Sequence, residues 1–446
     1  MIGADLRVPL VTGGEVRYVN LDYASTAPCL EEVRATIDGV LPWYGSVHRG
    51  AGFTSGVTSR AYAAARRQVA TFVGARPSDR VIFTRNTTDA LNLLAGALPS
   101  GTEVISFASE HHANMLPWRR SAAHTQLPVP RSRDEALSLA AEALRKSDAR
   151  HRLLAVCGAS NVTGEIWPVA ELSALARAHG ARIAVDAAQL APHRRVDMDG
   201  DSLDYVALSG HKLYAPFGAG ALIGRSDWLD AARPYLAGGG AVKRVGLEEV
   251  DWAFGEARHE AGTPNVVGAI ALGAACRALS QIGYDVIADH EGQLLDELTR
   301  GLEGLAGVEI LSMWGPASPR IGLVTFKARG WHPGALAAAL AAEHGVGVRD
   351  GAFCAHPLLE ALALETSDPP GAVRASFGLG SREADVERLL CALDSLIRDG
   401  AQWRYRVEEG RHVPDPDPRL TALAMKGNDL PSAPACAMEN ATTESP

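Results

Sequence analysis

Short apolar runs alternate with amphipathic segments over the first half of the chain. The runs that predict β-strands span residues 81–84, 103–107, 153–157, 182–186 and 204–208. Helical periodicity lies between several of these runs, for example at 90–98 and after Pro168. Short apolar strands that alternate with helices are typical of βαβ units, in which helices cover both faces of a parallel sheet. This part of the pattern therefore predicts an α/β domain with a mostly parallel sheet.

The pattern changes after residue 264. Two long helical segments, at about 265–281 and 285–304, are followed by shorter strand and helix patterns up to about residue 400, which predict a smaller α+β domain. The last stretch is polar and proline-rich, and it has too little apolar surface to offset the entropy of ordering. We therefore divide the chain into four parts: an N-terminal arm (1–20), a large domain (21–285), a small C-terminal domain (286–405) and a disordered tail (406–446).

Polar side chains follow two neighbouring apolar runs of the predicted sheet. Asp186 ends the first run and is followed by Gln189, whereas Ser209, His211 and Lys212 follow the second. Since α/β proteins bind ligands at the carboxyl ends of parallel strands, we expect these five side chains around one crevice. A lysine that faces an acid suits pyridoxal phosphate, because the lysine binds the aldehyde covalently and the acid keeps the pyridine nitrogen protonated.

Other loops carry groups that could contact such a ligand. Thr87 and Thr88 open the helix that follows the strand at 81–84, where hydroxyls and free backbone N–H groups can bind an anion. His111 follows the next strand and could stack on a flat ring. Taken alone, each of these patterns favours an ordinary helix cap. Segment 43–59 is rich in Gly, Ser and His, and this composition predicts a functional loop.

Composition and charge exclude several classes of function. With 446 residues, of which 47% are hydrophobic and 21% charged, the chain is typical of a soluble globular protein. Its formal net charge of −9 and the lack of a basic cluster argue against nucleic-acid binding. No uncharged apolar run reaches the roughly 18 residues of a membrane span, and no secretory signal is visible, so we expect no membrane contact. The six cysteines lack zinc-ligand spacing, which predicts no metal site and a reducing, cytoplasmic location.

Eight short motifs occur in an order that resembles a known family. They are HRG at 48–50, TT at 87–88, EHHAN at 110–114, SNVTG at 160–164, VDAAQ at 185–189, SGHK at 209–212, EAGTPN at 260–265 and VRAS at 373–376. Together they resemble the class V aminotransferase fold and, most closely, the cysteine desulfurases of group II (Suf type), the selenocysteine lyase-like branch. The resemblance spans about residues 15–400. It implies a pyridoxal-phosphate-dependent transferase of fold type I, with a seven-stranded, mostly parallel sheet in its large domain, and a homodimer with composite active sites.

The resemblance also implies a role for each matching residue. Lys212 would bind the cofactor covalently and move the substrate Cα proton, while His111 would stack on the cofactor ring and Asp186 would pair with the pyridinium nitrogen. The other cofactor contacts would come from Asn161, Gln189, Thr87, Thr88, Ser209, His211 and, in the neighbouring subunit, Thr263. Arg374 would make a two-pronged contact with the substrate α-carboxylate. Further substrate contacts would come from Asn161, Arg349 and His48.

The reaction that the resemblance implies removes sulfur from L-cysteine and gives alanine and an enzyme persulfide. Cys354 lies at the family's position for the attacking thiol, in a glycine-containing loop. A thiolate is the reactive form, and Arg349 is a candidate cation to favour it. The sulfur would then pass to an acceptor, which could be a protein.

Two loops depart from the family pattern. Ala352 and Phe353 precede the cysteine where histidines are common, and Ala51 and Gly52 replace a bulkier pair. Both changes concern substrate handling, so a second hypothesis stays open: another class V enzyme, a C–S lyase, epimerase or aminotransferase, that acts on a modified amino acid. A third hypothesis, a non-catalytic dimeric binding partner, is disfavoured by the presence of Lys212.

Overall fold

The computed structural model describes residues 1–48, 50–362 and 371–419. The strands up to residue 231 are β1 (Arg7–Pro9), β2 (Glu15–Arg17), β3 (Val19–Asn20), β4 (Asp79–Thr84), β5 (Thr102–Phe107), β6 (Ala123–Leu127), β7 (His151–Cys157), β8 (Arg182–Asp186), β9 (Tyr205–Ser209) and β10 (Gly220–Arg225). The helices of this part are α1 (Glu31–Val40), α2 (Phe53–Phe72), α3 (Thr87–Ala97), α4 (Leu116–Ser121), α5 (Arg133–Lys146), α6 (Val169–Ala178) and α7 (Ser226–Ala231), and 3-10 turns lie at Leu41–Trp43 and His112–Asn114.

The remaining elements follow in the second half of the chain. The strands are β11 (Val242–Val245), β12 (Val250–Trp252), β13 (Val308–Ile310), β14 (Leu323–Ala328), β15 (Val346–Gly347), β16 (Arg349–Gly351), β17 (Ala372–Ser376), β18 (Tyr405–Glu408) and β19 (Arg411–Pro414). The helices are α8 (Val266–Ile282), α9 (Tyr284–Glu303), α10 (Pro333–His344), α11 (His356–Leu362) and α12 (Glu383–Asp399), with a 3-10 turn at Gly255–Arg258.

A seven-stranded sheet has the order β4-β10-β9-β8-β7-β5-β6. The five strands from β9 to β6 are parallel, whereas β10 is antiparallel to both of its neighbours. Since β4 therefore runs in the same direction as the parallel strands, its carboxyl end lies at the same edge as theirs. The predicted α/β fold is confirmed, with a seven-stranded, mostly parallel sheet.

The central strands are buried on both faces, as continuous apolar runs predict. In β9, Val206 and Leu208 belong to one hydrophobic cluster, whereas Tyr205 and Ala207 belong to a second. Successive side chains of a strand point to opposite faces, so the two clusters lie on opposite sides of the sheet. Because β9 is buried on both faces, its last residue, Ser209, lies at the carboxyl edge of the sheet with little freedom to move.

A second sheet is antiparallel and smaller, with the order β13-β14-β17-β16. It packs with α9, α10 and α12 around its own hydrophobic cluster, which makes it the α+β unit that the sequence predicts. Arg349 of β16 lies directly opposite Arg374 of β17. The N-terminal segment joins this part, because β3 pairs with β15 and Asp22 forms a bridge with Ser376.

The prediction of a loop over the whole of 43–59 is wrong in its second half, because α2 already begins at Phe53. The residues there have modest helix propensity, but Ser55, Thr58 and Tyr62 lie on the buried face of the helix. α2 packs closely on α8, where a Cβ at Gly273 would lie only 2.7 Å from the Ala65 Cα. Packing between helices therefore overrides the local composition signal.

The prediction of a disordered tail from residue 406 is also wrong in part, because β18 and β19 form a hairpin. The buried carboxylate of Glu343 in α10 stabilises this segment by accepting hydrogen bonds from the Gln402 N–H (2.9 Å), the Trp403 N–H (3.2 Å) and the Tyr405 hydroxyl (2.8 Å). The rest of the predicted tail, 420–446, lies outside the described residues.

No single helix in the described part of the chain is long and apolar enough to span a membrane. Only α8 and α9 taken together satisfy the length and composition of a span, and they are bent by 80° at the break between them.

Candidate active site

One cavity lies where the carboxyl edge of the large sheet meets the small sheet. It contains all but two of the predicted site residues: Thr87, Thr88, His111, Asn161, Asp186, Gln189, Ser209, His211, Lys212, Arg349, Cys354 and Arg374. The large sheet supplies its residues from the ends of β8 and β9 and from the segments that follow β4, β5 and β7. The expectation that the strand ends share one crevice is therefore met in the geometry.

Lys212 and Asp186 are buried in this cavity and interact electrostatically. Burial lowers the pKa of the Lys212 amine to about 8, although the Asp186 carboxylate acts in the opposite direction. Burial also raises the pKa of Asp186, whose Oδ1 accepts a hydrogen bond from the Ala188 N–H at 2.9 Å. A buried carboxylate needs a cationic or N–H partner, and a lysine with a pKa near 8 is partly neutral at physiological pH. Lys212 can therefore react covalently as an amine, and Asp186 can pair with a bound group that carries a positively charged N–H.

The start of α3 forms a cradle of hydrogen-bond donors. The Thr87 N–H donates to the Ser209 Oγ at 2.9 Å, and the two hydroxyls are also 2.9 Å apart. Thr88 is exposed at the same helix end, where the positive end of the helix dipole favours an anion, although the Asp89 N–H already donates to the Asn86 Oδ1. This close approach depends on Gly220, because a Cβ there would lie 2.6 Å from the Asn86 Cα and 2.5 Å from the Leu208 carbonyl oxygen.

His111 and His211 line the cavity, and both are held neutral. Burial lowers the pKa of His111 to about 3, and the charge of Lys212 acts in the same direction. The His111 Nδ1 accepts a hydrogen bond from the Ala113 N–H at 3.0 Å, so in the neutral ring the proton is on Nε2. Burial, with the charge of Lys212, also lowers the pKa of His211 to about 4. Neither imidazole adds positive charge to the site.

One buried acceptor in the cavity has no donor. The Gln189 side chain donates from Nε2 to the Ala24 carbonyl at 2.7 Å, whereas its Oε1 is buried without a hydrogen-bond partner in the described part of the chain. Leaving such an oxygen unpaired costs about 1–3 kcal/mol. A bound molecule that presents a hydroxyl or N–H at this position would remove that cost.

Arg374 lies on β17 of the small sheet, lines the cavity and is almost fully buried. Its Nη1 donates to the Asn161 carbonyl at 2.8 Å, its Nη2 contacts the Asp22 Oδ1 at 3.2 Å, and its guanidinium lies 5.0 Å from the centre of the Phe353 ring. The Nε has no partner among the described residues. Burial lowers the pKa of Arg374 to about 10, which still leaves it charged at neutral pH. A charged, planar donor group with unused capacity is suited to a carboxylate.

The segment that carries Cys354 is held in an unusual backbone conformation. Phe353 and Cys354 have φ angles of 52° and 55°, in the left-handed region that non-glycine residues rarely occupy. The Phe353 carbonyl accepts a hydrogen bond from the Asn161 Nδ2 at 2.8 Å, and the Cys354 carbonyl accepts one from the His112 N–H at 2.9 Å. The exposed Cys354 side chain lines the cavity and interacts electrostatically with Lys212 and Arg374. Backbone strain of this kind is often found at functional sites.

Two predicted site residues do not line the cavity of this chain. His48 is exposed, and its ring contacts that of Tyr62 edge-on at 5.4 Å. Thr263 is exposed in the segment before α8. Arg49, the next residue of the HRG motif, lies outside the described residues.

Four other residues affect the site, and sequence reasoning gave them no role. Asp22 pairs with Arg374, the Phe353 ring packs against the same guanidinium, and His112 and His356 contact each other beside Cys354. The sequence signals were the positions of Phe353 and His356 close to the cysteine and of His112 in the EHHAN motif. The pairing of Asp22 with Arg374 and of His112 with His356 joins distant parts of the chain, which a single sequence does not display.

Comparison with known proteins gives a consistent result. The family model described as "Aminotransferase class-V" matches residues 19–389. A protein of Pseudomonas aeruginosa named "Probable cysteine desulfurase" is 38% identical over 388 residues, which cover 84% of this chain and 94% of that protein. A protein of Dickeya dadantii named "Cysteine desulfurase" is 35% identical over 391 residues, which cover 85% and 92% of the two chains.

Solved structures resemble the fold over the same range. The apo structure of a cysteine desulfurase from Thermococcus onnurineus has a TM-score of 0.78 and 32% identity, and the match covers 85% of this chain and 95% of that one. The structure of the cysteine desulfurase CsdA of Escherichia coli has a TM-score of 0.74 and 32% identity, with coverage of 84% and 94%. The fold is thus that of the fold type I enzymes of this family.

Proposed function

The chain belongs to the class V aminotransferase family, and from this premise we propose that it is a pyridoxal-phosphate-dependent cysteine desulfurase of group II. The names of the similar proteins support the reaction class. The observation that carries the proposal is the single cavity that Lys212, Asp186, Arg374 and Cys354 share. Each of these four side chains has the chemistry that one stage of the reaction requires.

The residues present fit pyridoxal phosphate. The α3 cradle with Ser209, Thr88 and His211 would hold the phosphate, and Asp186 would hold the pyridinium N–H. The unpaired Gln189 Oε1 would accept the hydrogen bond of the ring hydroxyl. His111, being neutral, could lie against the ring without repelling its positive charge. When bound, the cofactor supplies an electron sink that stabilises negative charge at the substrate Cα.

Lys212 is the group that attaches the cofactor and carries the proton. Its amine is partly neutral because burial lowers its pKa to about 8, so the Nζ can act as a nucleophile and as a base. We propose that the Nζ takes the Cα proton and later returns a proton to the product. Asp186 lines the same cavity and would fix the ring on which the lysine acts.

Cys354 is the proposed sulfur acceptor. Its thiolate attacks the substrate Sγ, an S–S bond forms, and the Sγ–Cβ bond breaks. The electron pair of the broken bond stays with the substrate carbon, which is then protonated. L-cysteine and one enzyme thiol thus give alanine and one persulfide, with no external oxidant. Lys212 and Arg374 interact electrostatically with Cys354 and line the same cavity.

Arg374→Lys is expected to raise the KM for L-cysteine about ten- to a hundredfold and to lower kcat less. The lysine keeps the charge but loses the planar, two-pronged donor set, which is worth about 1.5–3 kcal/mol for a charged hydrogen bond. Steady-state alanine formation measures the effect. Arg382→Lys, at a half-exposed arginine that pairs with Asp5, is the matched control and should leave KM unchanged. A wild-type KM in Arg374→Lys would contradict this assignment.

Uptake of pyridoxal phosphate by the cofactor-free protein should become faster as the pH rises, with a midpoint near pH 8. Only the neutral amine attacks an aldehyde, and burial lowers the pKa of Lys212 to about 8. Asp186→Asn should move the midpoint to lower pH, since the carboxylate raises the pKa of the lysine. Stopped-flow absorbance at a series of pH values measures both midpoints. A midpoint at about pH 10.4, the ordinary pKa of a lysine side chain, would contradict the argument.

A second candidate function is favoured by one observation. The Phe353 ring lines the cavity next to Arg374, so the wall beside the proposed carboxylate site is apolar at a position where the family pattern has histidine. An apolar wall would suit a modified amino acid with a larger side chain. Alanine and keto-acid analysis on a panel of amino acids tests the main proposal: rapid release of alanine from L-cysteine supports it, and turnover of other amino acids alone supports the second candidate.

The oligomeric state, the cellular location and the sulfur acceptor are also proposals. The exposure of Thr263 and His48 outside the chain's own cavity supports a homodimer in which they reach the partner's site. The cysteines of the described residues are free thiols, which supports a reducing cytoplasm. A protein thiol is the proposed acceptor of the persulfide sulfur, since Cys354 is exposed. Sedimentation of the holoenzyme measures the oligomeric state, and a monomer would contradict the composite sites.

A further inference from the structure

The cysteine loop is attached to the large domain by more than its own backbone. Cys354 lies in a turn that the Ala355 N–H closes by donating to the Ala352 carbonyl at 2.9 Å, and the short helix α11 begins at the next residue, His356. On the other side lies the segment after β5, which supplies the His112 N–H that donates to the Cys354 carbonyl. This backbone contact by itself is one hydrogen bond near solvent, and such a bond opens easily.

A pair of imidazoles reinforces this contact. The His356 Nδ1 and the His112 Nε2 are 3.1 Å apart, within hydrogen-bond distance. The two rings are also stacked, with centroids 4.8 Å apart and an angle of 20° between their planes. His112 thus contacts the loop twice: its N–H donates to the Cys354 carbonyl, and its imidazole contacts His356. These two contacts hold the loop at Cys354 and at His356.

We propose that His356, through its hydrogen bond to His112, is a positioning residue that keeps the Cys354 loop docked on the cavity. The inference rests on the proposed function for its catalytic consequence, because a docked loop places the thiol beside Lys212 and Arg374. Burial and the charge of His356 both lower the pKa of His112, which favours a pair with no more than one added proton. Release of the pair would weaken the docking of the loop at His356, while the Asn161–Phe353 hydrogen bond still holds the residue before Cys354.

Hydrogen exchange of the cofactor-loaded protein tests the proposal without using activity. The His112 amide is protected while it donates to the Cys354 carbonyl, so its exchange reports the docked loop. His356→Phe keeps an aromatic ring but removes the Nδ1 atom, and we expect the His112 amide to exchange about two- to tenfold faster, the effect of one hydrogen bond of ordinary net strength. His356→Asn places a polar atom near the former Nδ1 and should restore exchange to within about twofold of the wild-type rate.

His412→Phe is the matched control. It removes a histidine from a second imidazole pair, with His332, whose ring centroids are 4.7 Å apart and which lies outside the cavity. It should leave exchange of the His112 amide unchanged. Equal exchange in wild type and His356→Phe would overturn the proposal, and so would the same acceleration in His356→Asn or in His412→Phe.

Steady-state kinetics adds a second measurement on the same variants. His356→Phe should lower kcat for alanine formation by a factor similar to the change in exchange, with KM unchanged, because the cofactor and carboxylate sites do not include His356. Faster exchange with an unchanged kcat would overturn the catalytic consequence. If the wild-type protein forms no alanine from L-cysteine, the proposed function fails. The exchange rates alone then decide whether His356 keeps the Cys354 loop docked.

Discussion

Lys212→Ala should abolish alanine formation from L-cysteine, by at least about a thousandfold, and should remove the visible absorbance band of the lysine-bound cofactor. The substitution deletes both the covalent attachment point and the amine that carries the Cα proton, and removal of a positioned acid–base group alone costs about a hundred- to ten-thousandfold. Absorbance spectra and alanine assays on purified protein measure the two effects. Lys212→Arg should be equally inactive, since it retains a cation near Asp186 but cannot form the bond.

Lys146→Ala is the control for this experiment. Lys146 is exposed on α5, pairs with Glu142 and does not line the cavity. The control should keep both the absorbance band and the activity of the wild type. Substantial alanine formation by Lys212→Ala would contradict the proposed function of the whole site.

Cys354→Ala should lower alanine formation at least about a hundredfold and should leave the cofactor absorbance unchanged. The variant loses the nucleophile, whereas the residues around Lys212 and Asp186 are untouched, so only binding and electrostatic effects would remain. After incubation with L-cysteine, mass spectrometry of the wild type should find one added sulfur on the peptide that contains Cys354. The variant should carry no added sulfur.

The matched control for this substitution is Cys391→Ala. Cys391 is also an exposed free thiol, but it lies on α12, outside the cavity. The control should form alanine at the wild-type rate. Equal alanine and sulfide release by Cys354→Ala would contradict the role of this thiol and favour the second candidate function, a C–S lyase or related enzyme.

Much of the fold could be predicted from the sequence because the central strands are buried on both faces. A strand such as Tyr205–Ser209 must be apolar at every position before its polar end, and few other elements have that pattern. The start of α2 could not be predicted, since a stretch rich in Gly, Ser and Thr becomes helical only through its packing against α8. The hairpin at 405–414 depends likewise on a distant partner, Glu343.

The candidate site, too, could be predicted from the sequence only in part. Asp186 and Ser209 lie at strand ends, and Lys212 follows three residues later, so the topology of a parallel sheet brings them together. Asp22 reaches Arg374 across most of the length of the chain, and His112 reaches His356 in the same way. Such pairs have no local pattern, because the contact is made by tertiary packing. The sequence could therefore predict which residues meet at the strand ends better than the contacts around Cys354.

The central claim is that Lys212 and Asp186 act on one cofactor ring. Borohydride reduction of the holoenzyme, followed by peptide mapping, tests it most directly, because reduction makes the bond between lysine and cofactor permanent. We predict one cofactor mass on Lys212, together with loss of cofactor retention in Asp186→Ala. A label on Lys146 or Lys243 instead, or no label on any lysine of the freshly purified protein, would contradict the account.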